Sequence, residues 1–253
     1  MKIVDLRTMR GPSYWSVKHY KLIVMKVDLG NLADTWSNSL PALAEQLPLL
    51  LPELGQPQPA ETGRSPQKHP PLTTEQLADG EPLGHVIMHV ALALQRMAGM
   101  PVYWGKSYPA HQEGVEFMVF AYQEERAGRM AAEAAVQVVE DVVQGRPVNI
   151  KPIVDELHQI REDEFFGPST YSIVAEAASR NIPYIQLKNS NIIQLGYGVN
   201  QKRIWATTTS YTSHAGVEVA GNKNRTKAML HDAGVPVPNG TTVYSEAGLR
   251  DAV

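Results

Sequence analysis

An α+β domain, followed from residue 161 by the opening of a second domain built of shorter α/β elements, is the architecture this sequence predicts. Three observations lead there. Two apolar runs near the N-terminus read as strands. Two long segments with a 3.6-residue apolar period read as helices, with a further strand between them. Beyond the alanine-rich helix that ends near Gly145 and Pro147, the elements become short and turn-rich.

Taken in order, residues 2–8 alternate as a strand, and Lys21–Gly30 is a second strand, apolar and β-branched at its centre. Between them lies Arg10-Gly-Pro-Ser-Tyr-Trp-Ser, a turn-rich stretch with two aromatics. Leu40–Leu54 has helical spacing; Pro41 suits a first turn, and Pro48 is expected to break or kink the helix. Gly55–Pro71, with five prolines and no apolar period, reads as a loop. Residues 81–98 form a helix with Leu83, Val86, Ile87, Val90, Leu94 and Met97 on one face. Val115–Tyr122 is a strand and Arg126–Val143 a helix, so the first half reads β-β-α-α-β-α.

In the second half, Val154–Phe165 and Thr170–Arg180 read as helices. Short strands follow at Tyr184–Leu187, Ile192–Leu195 and Arg203–Thr207. Helices are expected at 213–221 and 223–233, stopped by Val235-Pro-Val-Pro, with a last strand at Thr241–Tyr244. The domain boundary is placed within 148–162, giving domains 1–160 and 161–253, and no internal repeat is visible.

Composition narrows the function. At 43% hydrophobic and 19% charged residues, the chain can build a core and is not a disordered protein. A net charge of −3 gives no electrostatic case for nucleic acid or an anionic membrane as partner. No apolar run spans a bilayer, and the N-terminal run is interrupted by charges, unlike a signal peptide. The absence of cysteine excludes disulfides, thiolate metal sites and a cysteine nucleophile. A cytoplasmic enzyme or enzyme fragment is the expected class.

Four motifs carry chemistry. His85 and His89, at i and i+4 on a helix, face the same way and could share a zinc ion. A metallopeptidase of the His-x-x-Glu-His type would need a glutamate base at position 88, where this chain has Met88. Two packed histidines are the favoured reading, and a third metal ligand would have to come from Glu124 or Glu125. Gly167-Pro-Ser-Thr places Ser169 or Thr170 as a helix cap, with a helix N-terminus that could also take a carboxylate or phosphate. Gln194-Leu-Gly-Tyr-Gly reads first as a hairpin turn and only weakly as a phosphate loop. Gly221-Asn-Lys-Asn-Arg-Thr-Lys offers lysines to nucleotide phosphates, or simply a solvated helix face. Together the last three suit an ATP-dependent carboxylate ligase.

These segments resemble the cyanophycin synthetase family along essentially the whole chain. Arg10-Gly-Pro-Ser-Tyr-Trp-Ser is similar to that family's Arg-Gly-Pro-Asn-Tyr-Trp-Ser. His85-Val-Ile-Met-His-Val-Ala-Leu-Ala-Leu-Gln, followed by Ala98-Gly-Met-Pro-Val, is similar to its His-Val-x-Glu-His helix and the Ala-Gly-Met-Pro-Val after it. Gly167-Pro-Ser-Thr, Gln194-Leu-Gly-Tyr-Gly and Ala233-Gly-Val-Pro-Val-Pro match in the same order. The resemblance implies an N-terminal α+β domain, an ATP-grasp domain and a Mur-ligase-like domain in a homo-oligomeric enzyme. That enzyme polymerises aspartate and arginine into cyanophycin, using ATP and Mg2+ to form an acyl-phosphate. By the same resemblance Ser169 and Thr170 bind the polymer end and Lys223 contacts the nucleotide. Met88 in place of the family glutamate implies that hydrolytic trimming of polymer is absent, and zinc with it. The second nucleotide lysine, the magnesium carboxylates and the Mur-like domain lie beyond the matched motifs, so no ligase activity is expected from this chain alone, and the residues after about 200 are expected to be poorly supported. The competing expectation is a binding module that holds cyanophycin and supports oligomer assembly without chemistry.

Overall fold

A computed structural model describes residues 1–17, 19, 21–57, 71–164, 166–187, 191–240 and 242–252. Most of the expected proline-rich loop, Phe165 at the end of an expected helix, and Thr241 at the start of an expected strand lie outside them. The chain divides into two compact units, Met1–Phe165 and Phe166–Val253.

In the first unit, β1 (Lys2–Arg10), β2 (Lys21–Asp28), β3 (Gly105–Pro109) and β4 (Val115–Ala121) form an antiparallel sheet in the order β1-β2-β4-β3. Ile23 opposite Phe120 and Met25 opposite Met118 face one side, in the main core. Leu22 and Val24 face the other, with Trp104 and Val119. The central strand is therefore buried on both faces, which explains its unbroken apolar run. Trp15, from the turn after β1, covers the second face, 5.6 Å from the Tyr108 ring and 5.4 Å from that of Phe117.

The helices of this unit are α1 (Pro41–Leu50), α2 (Thr74–Asp79), α3 (Leu83–Met97), α4 (Glu125–Val143) and α5 (Lys151–Glu164). Residues 86–95 of α3 are all buried, so the helix is a central element rather than one with a single apolar face. In α4 the small residues Ala127, Gly128, Ala131, Ala132 and Ala135 are buried, which lets the helix sit close to its neighbours. An alanine Cβ at position 128 would lie 2.5 Å from the Cβ of Tyr122. Leu157 and Ile160 of α5 are buried in the same core.

Three expectations for this unit are corrected. Helix α1 continues through Pro48 to Leu50 and ends short of Leu54. A proline this close to a C-terminus removes one hydrogen bond from a turn that is ending, and buried Leu43 and Leu47 hold the helix in place. Helix α2 was not anticipated, although its capping box is written in the sequence: the Thr73 hydroxyl accepts from Gln76 N–H at 3.2 Å, and the Gln76 side chain accepts from Thr73 N–H at 2.9 Å. Strand β3 was missed because Gly105 and Pro109 bound only five residues; its strand character comes from pairing with β4.

In the second unit, α6 (Pro168–Ser179) is followed by β5 (Tyr184–Gln186), β6 (Ile192–Leu195), β7 (Lys202–Trp205) and β8 (Thr208–Thr209). They form a second antiparallel sheet in chain order. Val174, Ile193 and Ile204 make its small core. Helices α7 (His214–Gly221), α8 (Lys223–Asp232) and α9 (Glu246–Ala252) complete it. The expected strand to Thr207 stops at Trp205, because Ala206 turns the chain with φ of 52° into β8. The expected strand at 241–244 is not formed over Thr242–Tyr244, and α9 beyond it was not anticipated.

Candidate functional site

The N-terminus of α3 gathers the two histidines. The chain entering it is pinned: Ser37 N–H donates to Glu81 C=O at 2.9 Å, and Ser37 Oγ accepts from Glu81 N–H at 2.7 Å while donating to Leu77 C=O. Glu81 is thereby set one turn before His85, and its Oε2 lies 2.6 Å from His85 Nδ1. A carboxylate can only accept, so Nδ1 of His85 carries a proton. In the neutral ring, Nε2 of His85 is then the acceptor, and His89 Nε2, 3.0 Å away, donates to it. The result is a directed chain from His89 through His85 to Glu81, with His89 almost wholly buried.

A fourth group joins from β4. Burial raises the pKa of the Glu116 carboxyl, opposed by a hydrogen bond from Gly84 N–H and the nearby His85. Pro82, the residue at the cap position, makes no side-chain cap, so Glu116 takes that role from another element and places negative charge at the positive end of the helix. Gly84 makes room for it: a Cβ there would lie 2.1 Å from Glu116 Oε2.

The structure therefore brings His85 and His89 together, as their spacing implies, but not with the carboxylates anticipated. Gln95 Nε2 donates to Ala121 C=O, so the end of β4 that leads to Glu124 and Glu125 faces the far end of α3. Ten residues of helix separate Gln95 from His85, about 15 Å at 1.5 Å per residue. The acidic neighbours of His85 are instead Glu81 and Glu116. Glu81 was legible at i−4 from His85; Glu116 is a tertiary neighbour with no local signal. The two Nε2 atoms could both reach one ion at the ~2.1 Å of a zinc–imidazole bond. Among the described residues, however, no group of three or more His, Asp or Glu side chains is placed to hold a metal. Met88 is fully buried, and its sulfur would lie 2.2 Å from a Cβ at Gly105, so it faces β3 and the core.

Glu124 and Glu125 belong to a second polar cluster at the other end of the sheet. Arg10 pairs with Glu125, and Lys21 Nζ donates to Gln123 C=O at 2.8 Å. Burial pushes the Glu124 carboxyl up to about 6, against the pull of Lys21, and also raises Tyr122 and Glu164.

In the second unit, α6 starts at Pro168, with Gly167 as its cap residue and no side-chain cap. Ser169 and Thr170 therefore lie inside the first turn and do not cap the helix, contrary to expectation. Tyr171 N–H bonds to Gly167 C=O. The N–H groups of Ser169 and Thr170 precede the first intrahelical bond and are oriented at the helix entrance, with Ser169 exposed and Thr170 half-buried. Gln194-Leu-Gly-Tyr-Gly connects β6 to β7, with Gly196 and Gly198 at φ of 73° and 62°, a reversal that needs glycine. Lys223 is the exposed first residue of α8, behind the cap residue Asn222, whose side chain accepts from the N–H groups of Asn224 and Arg225. Lys227 is held to Gly240 C=O at 2.6 Å.

Comparison with known proteins follows this division. The family model of the cyanophycin synthase-like N-terminal domain matches residues 24–144, which run from β2 through α4. The whole chain is 41% identical to the cyanophycin synthetase of Crocosphaera subtropica, 40% to that of a Synechocystis strain and 41% to that of a Nostoc strain. In each case all of this chain aligns, but it spans only 28–29% of the relative's length. No helix among the described residues is long and apolar enough to cross a membrane. Residues 24–144, and an identity near two in five that continues to the last residue, make the chain a member of the cyanophycin synthetase family through its N-terminal domain.

Proposed function

We propose that this chain is the front part of an ATP-dependent ligase that polymerises aspartate and arginine into cyanophycin. Residues 1–160 would be its N-terminal α+β domain and residues 161–253 the opening of its ATP-grasp domain. The observation that carries the reading is the 38–41% identity to cyanophycin synthetases over the full length of the chain, well beyond the matched domain.

In this reading the helix entrance at Ser169 and Thr170 holds the C-terminal carboxylate of the growing polymer. Its free N–H groups and positive dipole end suit an anion, and the hydroxyls orient it. Lys223 neutralises a nucleotide phosphate as an exposed point charge at the start of α8. ATP, when bound, supplies the activation that turns a poor electrophile, the carboxylate, into an acyl-phosphate open to the aspartate amine. Mg2+ finds no three-ligand donor set among the described residues, so its ligands are assigned to polypeptide outside this chain. The partners are the polymer, aspartate and arginine, and the assembly is a cytoplasmic homo-oligomer. Trimming of polymer at His85 and His89 is not part of the reading, since Met88 faces the core and offers no base.

The test is a chimaera in which this chain replaces the matching region of the Crocosphaera subtropica enzyme. Incorporation of labelled aspartate and arginine into a cyanophycin primer is expected. A folded chimaera that binds primer but incorporates nothing would favour the non-catalytic binding module.

A further inference from the structure

Burial in the second unit is confined to one half of it. Its buried apolar residues are Val174, Ala177, Ile193 and Ile204, from α6, β6 and β7. Helices α7 and α8 bury no residue at all. Yet α8 carries a regular stripe, Thr226, Met229, Leu230 and Ala233 at i, i+3, i+4 and i+7, the spacing of a helix made to be covered. Met229 is 57% and Leu230 40% exposed, and the turn after α8 adds Val235 at 45%. Nor can these helices stand on local energetics. They have eight and ten residues, below the ~12–15 at which an isolated helix becomes marginal in water, and helices of this size depend on tertiary burial. Their caps are nonetheless well made: Ser213 Oγ accepts from Gly216 N–H at 3.0 Å, and Asn222 caps α8. The local sequence specifies helices whose apolar side has no partner among the described residues.

We propose that this stripe, Met229 and Leu230 above all, is an interior surface. Its occupant is polypeptide equivalent to the part of the cyanophycin synthetases that follows the matched region. The relatives supply the argument for that occupant: the chain aligns to the last residue at about 41% identity, its family match is to an N-terminal domain, and about seven-tenths of each relative lies outside the alignment. The inference rests on the ligase reading and adds to it the surface through which the two parts are joined.

Hydrogen exchange tests it. Amides of Asn222–Asp232 are compared in the 253-residue chain and in the same sequence continued into the rest of the Crocosphaera subtropica enzyme, with the α3 and α4 amides as an internal control of folding. Exchange in α8 is expected to slow by about tenfold or more in the continued protein. Met229→Glu with Leu230→Glu is expected to abolish that protection while leaving the exchange and thermal midpoint of the 253-residue chain unchanged. Supplying the remainder as a separate co-expressed polypeptide gives a second arm, read as co-purification lost in the double variant. Equal α8 exchange in both proteins, with α3 and α4 protected in both, would overturn the proposal. So would protection in the 253-residue chain that rises with its own concentration, which would identify a second copy as the occupant, or that is already complete at high dilution. Activity is a separate readout: protection without primer extension leaves this inference standing and removes the ligase reading, and extension without protection does the reverse.

Discussion

Replacing Gly84 with alanine separates the account of the α3 N-terminus from helix propensity, because the two predict opposite signs. Propensity alone favours alanine over glycine inside a helix by about 1 kcal/mol. Here the new Cβ would lie 2.1 Å from Glu116 Oε2, 2.8 Å from its Cδ and 3.2 Å from Met118 Cε. The carboxylate sits at the end of a flexible side chain and can swing away, so the cost is the lost interaction rather than the clash. A hydrogen bond to a charged acceptor contributes about 1.5–3 kcal/mol, and a charge at a helix N-terminus about 0.3–1 kcal/mol. After the propensity gain, a net destabilisation of about 1–2 kcal/mol is expected. For a unit of this size that is a drop of about 2–6 °C in thermal midpoint. The assay is thermal and urea unfolding at pH 8, repeated in a Glu116→Ala background, where the capping carboxylate is already gone. There Gly84→Ala is expected to be neutral or stabilising. A Gly84→Ala protein as stable as the parent, or more so, would refute Glu116 as the cap of α3.

Further outcomes follow from the same geometry. Glu124 has a folded pKa of about 6, above the ordinary carboxylate value, so the folded state binds its proton more tightly than the unfolded state does. Its ionisation therefore weakens the fold as pH rises through about 6, and Glu124→Gln is expected to stabilise the chain at pH 7.5 and to change little at pH 4.5; urea midpoints at the two pH values check this, and an equal effect at both would contradict it. Gly128→Ala would force a Cβ to 2.5 Å from Tyr122 Cβ and 3.1 Å from Ile23 Cγ1, atoms fixed near the backbone, and is expected to cost about 1–3 kcal/mol in the same assay. Incubated with cyanophycin, the chain is expected to release no soluble peptides, with or without chelator; release that chelation stops would restore a metal role to His85 and His89.

What the sequence made legible is what local chemistry decides. The period of α3 and α4 and the strand character of β2 and β4 were readable because burial repeats at short range in them. The pairing of His85 with His89 followed from helical spacing alone. The capping role of Glu116 was not readable, because it reaches α3 from a strand more than thirty residues later. Glu124 and Glu125 misled as metal ligands for the same reason: nearness in sequence to a strand end says nothing about which end of α3 the strand faces. Ser169 and Thr170 were taken for caps because their residue type suits that role, whereas Pro168, favoured at the first helical position, starts α6 one residue earlier.

The central claim, that this chain is the front of an aspartate- and arginine-polymerising ligase, is tested most directly by primer extension. The measurement is ATP-dependent incorporation of labelled aspartate by the chimaera with the Crocosphaera subtropica enzyme, compared with its Ser169→Ala, Thr170→Val double variant and with the 253-residue chain alone. The account predicts extension by the chimaera, a loss of about tenfold or more in the double variant while ATP still binds, and none by the chain alone. A folded chimaera that binds primer and ATP yet extends nothing would contradict it, as would a double variant that extends primer at the parent rate.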